Sequence, residues 1–246
     1  MRLFSAELLK LRKRRGLVWS TLALVLGPVL LAYSISAVLH AVDAERYDPA
    51  GGAENFTNGA DLLALFGLIA AIIVGVGAGV GDLSAGVFRE LVVTGRNRLA
   101  LFAIRIPGGL AFLLPIAAAA FGVVVAASFA FAGSGPTPDA GMIVRQAGFL
   151  LLELGFAFIT AVGVSSLMSS RGLAIGLLLG WHLAAAPLLL ATGKLDSFLP
   201  NSALDRLQPS LEGGPGISVA TAFAILLVWT AAAVAAGAWR TATREA

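Results

Sequence analysis

Glu153 is the one carboxylate well inside a long apolar run of this chain. It lies about six residues past the start of the run Ala147–Met168, roughly 9 Å along a helix at about 1.5 Å per residue. A charge near mid-bilayer costs about 2.5–3.5 kcal/mol on insertion scales, so this carboxyl group is expected to face protein or water rather than lipid. Two uses fit it. It contributes to a polar pathway or substrate contact, or it is a carboxylic acid bonded to a neighbouring helix.

The other groups capable of chemistry form no constellation. His40 and His182 lie in different apolar runs, with no Glu-x-x-His spacing or second acid nearby, so a metal site is not expected. Ser165 or Ser166 with His182 would make a Ser–His pair, but no nucleophile elbow frames either serine. Serines in membrane helices ordinarily bond backbone or neighbouring helices. Gly75, Gly77, Gly79 and Gly81 end an apolar run instead of following a soluble strand. They read as small-xxx-small packing pairs, Gly75/Gly79 and Gly77/Gly81. No Gly-x-x-x-x-Gly-Lys-Ser/Thr occurs, and Gly193-Lys194 is followed by Leu195, so the chain has no phosphate loop of its own. With no cysteine, thiolate ligands and disulfides are excluded.

The elements that must position Glu153 are membrane spans. The chain is 58% hydrophobic and 13% charged with a mean hydropathy of +0.90, outside the soluble-globular range. Six runs are long enough to cross about 30 Å of hydrocarbon: Leu17–Val42, Leu62–Val80, Ile106–Phe131, Ala147–Met168, Leu173–Ala191 and Ile217–Trp239. Pro28, Pro115 and Pro187 inside them do not argue against helices in lipid. Between the second and third runs, residues 81–105 carry Arg89, Arg96, Arg98 and Arg105. This segment is too long for a turn and too small for an enzymatic domain. It is expected to form a helical cytoplasmic hook that receives force from another protein.

Thirteen Lys and Arg fall in the N-terminal stretch, the 81–105 segment, the Ser169–Gly172 turn and the tail, against four in the alternate loops. The positive-inside rule then puts both termini in the cytoplasm. The sequence pI near 9.8 reflects this topology and contact with anionic lipid, not nucleic-acid binding. Residues 1–16 read as an amphipathic interfacial helix, with Leu3, Phe4, Leu8 and Leu11 on one face and basic residues around the rest. The 26-residue run Leu17–Val42 exceeds a signal-peptide core and is expected to be a retained span. Asp43–Asp61 reads as a solvated loop and Gly133–Gln146 as a connector. Asp196–Leu211 mixes Phe198, Leu199, Leu204, Leu207 and Leu211 with polar residues. It fits a re-entrant helical lid or a surface loop with a short helix.

With these features in place, the chain resembles the membrane subunit of an ABC transporter of the ABC-2 permease type. Glu7-Leu8-Leu9-Lys10-Leu11-Arg12-Lys13-Arg14 is similar to the family's leading amphipathic helix. Asp82-Leu83-Ser84-Ala85-Gly86-Val87-Phe88-Arg89, continuing through Leu91-Val92-Val93-Thr94-Gly95-Arg96-Asn97-Arg98, is similar to its first cytoplasmic loop, with Val87-Phe88 where the family often has Thr. Met168-Ser169-Ser170-Arg171-Gly172 and Phe198-Leu199-Pro200 are similar in shape to later family segments.

The resemblance implies an all-α membrane protein: a six-helix permease domain over residues 17–246 behind the interfacial helix, with a coupling helix between spans 2 and 3. It implies a second permease copy or homologue and a separate ATP-binding cassette subunit that holds ATP and Mg, so this chain itself carries no cofactor and is no enzyme. The expected function is ATP-driven export of a drug, antibiotic, lipid or peptide across the bacterial plasma membrane. Asp82, Gly86, Arg89, Glu90 and Arg98 are the expected coupling contacts, with Glu153 as the pathway candidate. A membrane scaffold or maturation factor is the alternative, ahead of an intramembrane lipid-acting enzyme.

Overall fold

The computed structural model describes residues 2–84, 97–195, 197–211 and 216–243. All the described elements are helical: α1 (Arg2–Lys13), α2 (Arg15–Val42), α3 (Gly52–Ser84), α4 (Arg98–Ala103), α5 (Arg105–Ala130), α6 (Ala140–Ser166), α7 (Arg171–Gly180), a π turn (Trp181–Ala185), α8 (Ala186–Leu190), α9 (Pro200–Leu207) and α10 (Val219–Thr243). Among the described residues, six helices are long and apolar enough to cross a membrane: α2, α3, α4 with α5, α6, α7 through α8, and α10.

Helix starts follow local chemistry. Asp139 caps α6 by accepting from the Met142 N–H at 2.8 Å, and Asn97 caps α4 by accepting from the Leu99 N–H at 2.9 Å. Two boundaries differ from the hydropathy reading. The expected loop over 43–61 is helical from Gly52, a residue at φ +93 that a side chain would strain. Asn55 secures that first turn by donating to the Pro49 carbonyl at 2.9 Å. The polar residues of 54–61 therefore extend α3 instead of ending it. The fourth span likewise starts at Ala140, not Ala147. Glu153 is thus thirteen residues into the helix, about 20 Å along it, and close to its midpoint.

α3 and α6 form the centre. The apolar stretch of α3 is 78% buried and that of α6 61%, against 17% for both α2 and α10. Glycines let the central pair approach. A Cβ at Gly75 would stand 2.7 Å from the Phe158 carbonyl oxygen, and one at Gly79 would overlap Ser165. The expected Gly75/Gly79 pair therefore packs, whereas Gly77 faces open space and Gly81 faces Arg14 and Arg171. On its other side α6 meets α10 at Gly163, where a Cβ would collide with the Ala233 carbonyl.

Polar bonds fasten the bundle at both ends. Where α1 packs and α10 finishes, fully buried Arg105 donates to the Gly79 carbonyl at 2.9 Å, near the negative end of the α3 dipole. In α1, Leu11 is buried and Leu8 packs on the core, with Glu7 beside Gly108 of α5 and 2.6 Å from Lys10. At the opposite end the Tyr33 hydroxyl of α2 donates to the Asn55 carbonyl of α3 at 2.9 Å and lies 2.8 Å from Ser128 Oγ of α5.

Candidate functional site

Glu153 lies where α3, α6, the π turn and α9 surround a polar crevice of about 290 Å³. Its α6 face is regular: Gln146, Glu153 and Thr160 are seven residues apart, two helical turns each, and all three are buried. Gln146 donates to Asp61 of α3 at 3.0 Å, and Gln208, just beyond α9, donates to the same carboxylate oxygen at 3.2 Å. Asp61 is thereby held between two amides. Glu153 is not: its Oε2 is buried and has no hydrogen-bond partner. Asp61 and Asp205 lie close enough to act on it electrostatically.

The opposite wall exists because of Pro187. In the π turn the Ala186 N–H bonds the Trp181 carbonyl, five residues back. The same spacing would pair the His182 carbonyl with residue 187, but proline has no N–H. Asn201 of α9 answers the freed carbonyl, donating from Nδ2 at 3.4 Å. This bond brings α9 against the fifth span, with Asn201 and Asp205 lining the crevice. Burial raises the Asp205 carboxyl above its ordinary range. Buried His182 Nδ1 and Asn201 Oδ1, like Glu153 Oε2, have no partner.

His182 also lines a second, apolar cavity of about 230 Å³, with Phe156, Leu178, Trp181, Pro200 and Trp229. The Phe156 and His182 rings meet edge to face at 6.5 Å, and the Trp181 and Trp229 rings lie 6.0 Å apart. Trp229 is fixed by donating from Nε1 to the Phe198 carbonyl at 2.9 Å. Two separate cavities, one with polar groups and one aromatic, thus lie on either side of one histidine.

Glu153 was the site residue visible in the sequence; Ala157 and Thr160, on the same face, are buried as its spacing requires. Asp61 lies in the expected loop Asp43–Asp61, Gln146 in the expected connector Gly133–Gln146, and Asn201, Asp205 and Gln208 in the Asp196–Leu211 segment. The seven-residue recurrence of Gln146, Glu153 and Thr160 was the readable signal. Among the described residues no three His, Asp or Glu group closely enough to hold a metal ion.

Of the expected coupling contacts, Gly86, Arg89 and Glu90 lie outside the described residues. Asp82 belongs to α3, which runs to Ser84. Arg98 opens α4 and donates to the Ala242 carbonyl of α10 at 3.3 Å. No protein-family model matches the sequence, and no curated protein matches it.

Proposed function

We propose that the chain is the membrane-spanning permease subunit of an ATP-driven exporter, similar to the ABC-2 type, that moves a hydrophobic or amphipathic substrate across a bacterial plasma membrane. The observation that carries this reading is the crevice. A buried carboxylate and two further unpartnered polar atoms sit near the middle of a six-helix bundle, where polar groups serve transport paths more readily than stability. The sequence has no phosphate loop, so ATP and Mg belong to a separate subunit. That subunit docks on the end of α3 and the segment from there to α5, where Asp82, Gly86, Arg89, Glu90 and Arg98 act as the coupling surface. α1 lies in the interface of the inner leaflet, both termini are cytoplasmic, and a second permease copy or homologue completes the path. Closure of the ATPase pair tilts the spans between inward- and outward-open states.

The test is purification from native membranes in mild detergent, followed by ATPase and transport assays. The chain is expected to bring an ATP-binding subunit with it. Alanine at the five coupling positions is expected to reduce transport per ATP hydrolysed by about tenfold, within the usual range of coupling energies. Isolation of the chain without any ATP-binding protein, or full coupling in the five-fold variant, rejects the reading.

The convergence of Glu153 and His182 favours a second reading, an intramembrane enzyme acting on lipid. Among the described residues no Ser, Thr or Cys lines the polar crevice to serve as a nucleophile, so this chemistry would use water. Conversion of a bilayer lipid by the purified chain without ATP would select it.

A further inference from the structure

We infer that the polar crevice takes a cationic amphiphile, its ammonium group among Glu153, Asn201 and Asp205 and its apolar body against Leu68, Phe149 and Leu204, with the aromatic cavity on the far side of His182. The inference rests on the transport reading and names the chemical class of its cargo.

Charge points to a cation. The residues lining the polar compartment include two acids and no Lys or Arg. Asp61, held by Gln146 and Gln208, adds negative potential from just behind. Hydrogen bonding points to a donor. Glu153 Oε2 and Asn201 Oδ1 are buried acceptors without partners, and an unmade buried bond is costly. An ammonium group carries up to three N–H donors and no acceptor. A phosphate or carboxylate would set acceptors against acceptors and meet like charge.

Shape points to an organic body. The polar compartment is also walled by Leu68, Phe149 and Leu204, and beyond His182 the second cavity is almost wholly apolar. Apolar walls with a few placed polar groups are the usual build of a small-molecule site. The polar compartment also includes Leu65, Leu183 and Pro187, all three exposed on the bundle surface. An amphiphile dissolved among acyl chains can therefore reach the acids without first crossing water.

The experiment uses the full chain in phosphatidylcholine nanodiscs, without any ATP-binding subunit. Trp19→Phe and Trp239→Phe remove the two highly exposed tryptophans, leaving Trp181 and Trp229 as reporters. Dodecylamine, dodecanol, dodecanoate and dodecyltrimethylammonium are titrated in turn. Dodecylamine is expected to shift the emission saturably, at about one-tenth of the concentration dodecanol requires. Dodecyltrimethylammonium, which has charge but no N–H, is expected to fall between them. Glu153→Gln is expected to weaken dodecylamine about tenfold and leave dodecanol unchanged, with a smaller loss for Asn201→Ala. Should Glu153→Gln fail to fold, Asp205→Asn, on α9 outside the spans, supplies the charge test. Equal half-saturation by dodecylamine and dodecanol or dodecanoate overturns the inference, as does wild-type dodecylamine binding in all three variants. A chain that couples to an ATPase yet shows no amine preference loses this cargo and keeps the transport reading. Amine-selective binding in a chain that never brings down an ATPase keeps the site and removes that reading.

Discussion

The two halves of α6 are built on opposite terms. Toward Ser166 it is dry and tight: Phe158, Ala161 and Ser165 press against glycines of α3, while Gly163 presses against α10. Toward Ala140 it borders, through Phe149 and Glu153, a crevice with unpartnered polar atoms, while the aromatic cavity lies beside Phe156, Thr160 and Val164 farther along the helix. Small residues let backbones approach where no water or lipid enters. Bulky rings, a proline and an amide side chain hold helices apart where something is to be admitted. Tight backbone packing is concentrated in one half of the helix, and unpartnered polar groups gather around the other.

Substitution in each half should therefore have opposite signs. The largest effect is expected at Gly163→Leu, whose side chain has no space beside the Ala233 carbonyl. A loss of about 3 kcal/mol, or of monodisperse protein altogether, is the expected result in thermal unfolding followed by size-exclusion chromatography. Gly155→Leu, eight residues earlier and facing open space, is the matched control and should change little. If both variants unfolded alike, the tight half would not be the stabilising one.

Next comes Glu153→Leu. Removing an unpartnered buried carboxyl is expected to leave stability unchanged or raise it by about 1–2 kcal/mol, while the amine response and transport are lost. A strongly destabilised Leu variant would place Glu153 with the structural half. Pro187→Ala should have a smaller effect. It restores an N–H within reach of the His182 carbonyl, releases Asn201, and is expected to add about 1 kcal/mol while weakening dodecylamine binding. Unaltered binding would show that the π turn does not shape the crevice.

The smallest effect is a pH dependence at Asp205, outside the spans. Burial raises its folded carboxyl above the unfolded value, so the folded state holds its proton more tightly. The associated stability is complete below the unfolded value and is lost as pH rises through the folded one. Asp205→Asn should flatten that slope in unfolding curves taken across the acid range. An identical slope in the variant would assign the dependence to another group.

The spans were legible because hydrocarbon admits only long apolar runs, and each of the six runs coincides with a helix. What stayed hidden was polar structure continuous with them. Glu54, Asn55 and Asp61 look like a loop by hydropathy, yet Asn55 bonds its own helix start and Asp61 is held by Gln146 and Gln208. The polar wall from α9 depends on residues 201–208 meeting residues 61, 153 and 182, contacts that no local pattern encodes. Pro187 was visible, but its effect was not. Whether a proline bends a helix, widens it or passes unnoticed depends on what answers the freed carbonyl, and here that is Asn201, fourteen residues on. Pro28 and Pro115, inside continuous α2 and α5, show the other outcome.

The Tyr33 hydroxyl joins α2, α3 and α5 at the end of the bundle away from α1. These three helices consequently share a hinge-free corner: none can swing at that end without breaking a buried hydroxyl contact. On the transport reading proposed above, opening at that end would fall to the segments outside the corner, α6 through α10, which also carry Glu153, His182 and Asn201. Cargo contacts and gate position would then fall largely on one set of helices, with α3 contributing Asp61, Leu65 and Leu68 from the fixed corner.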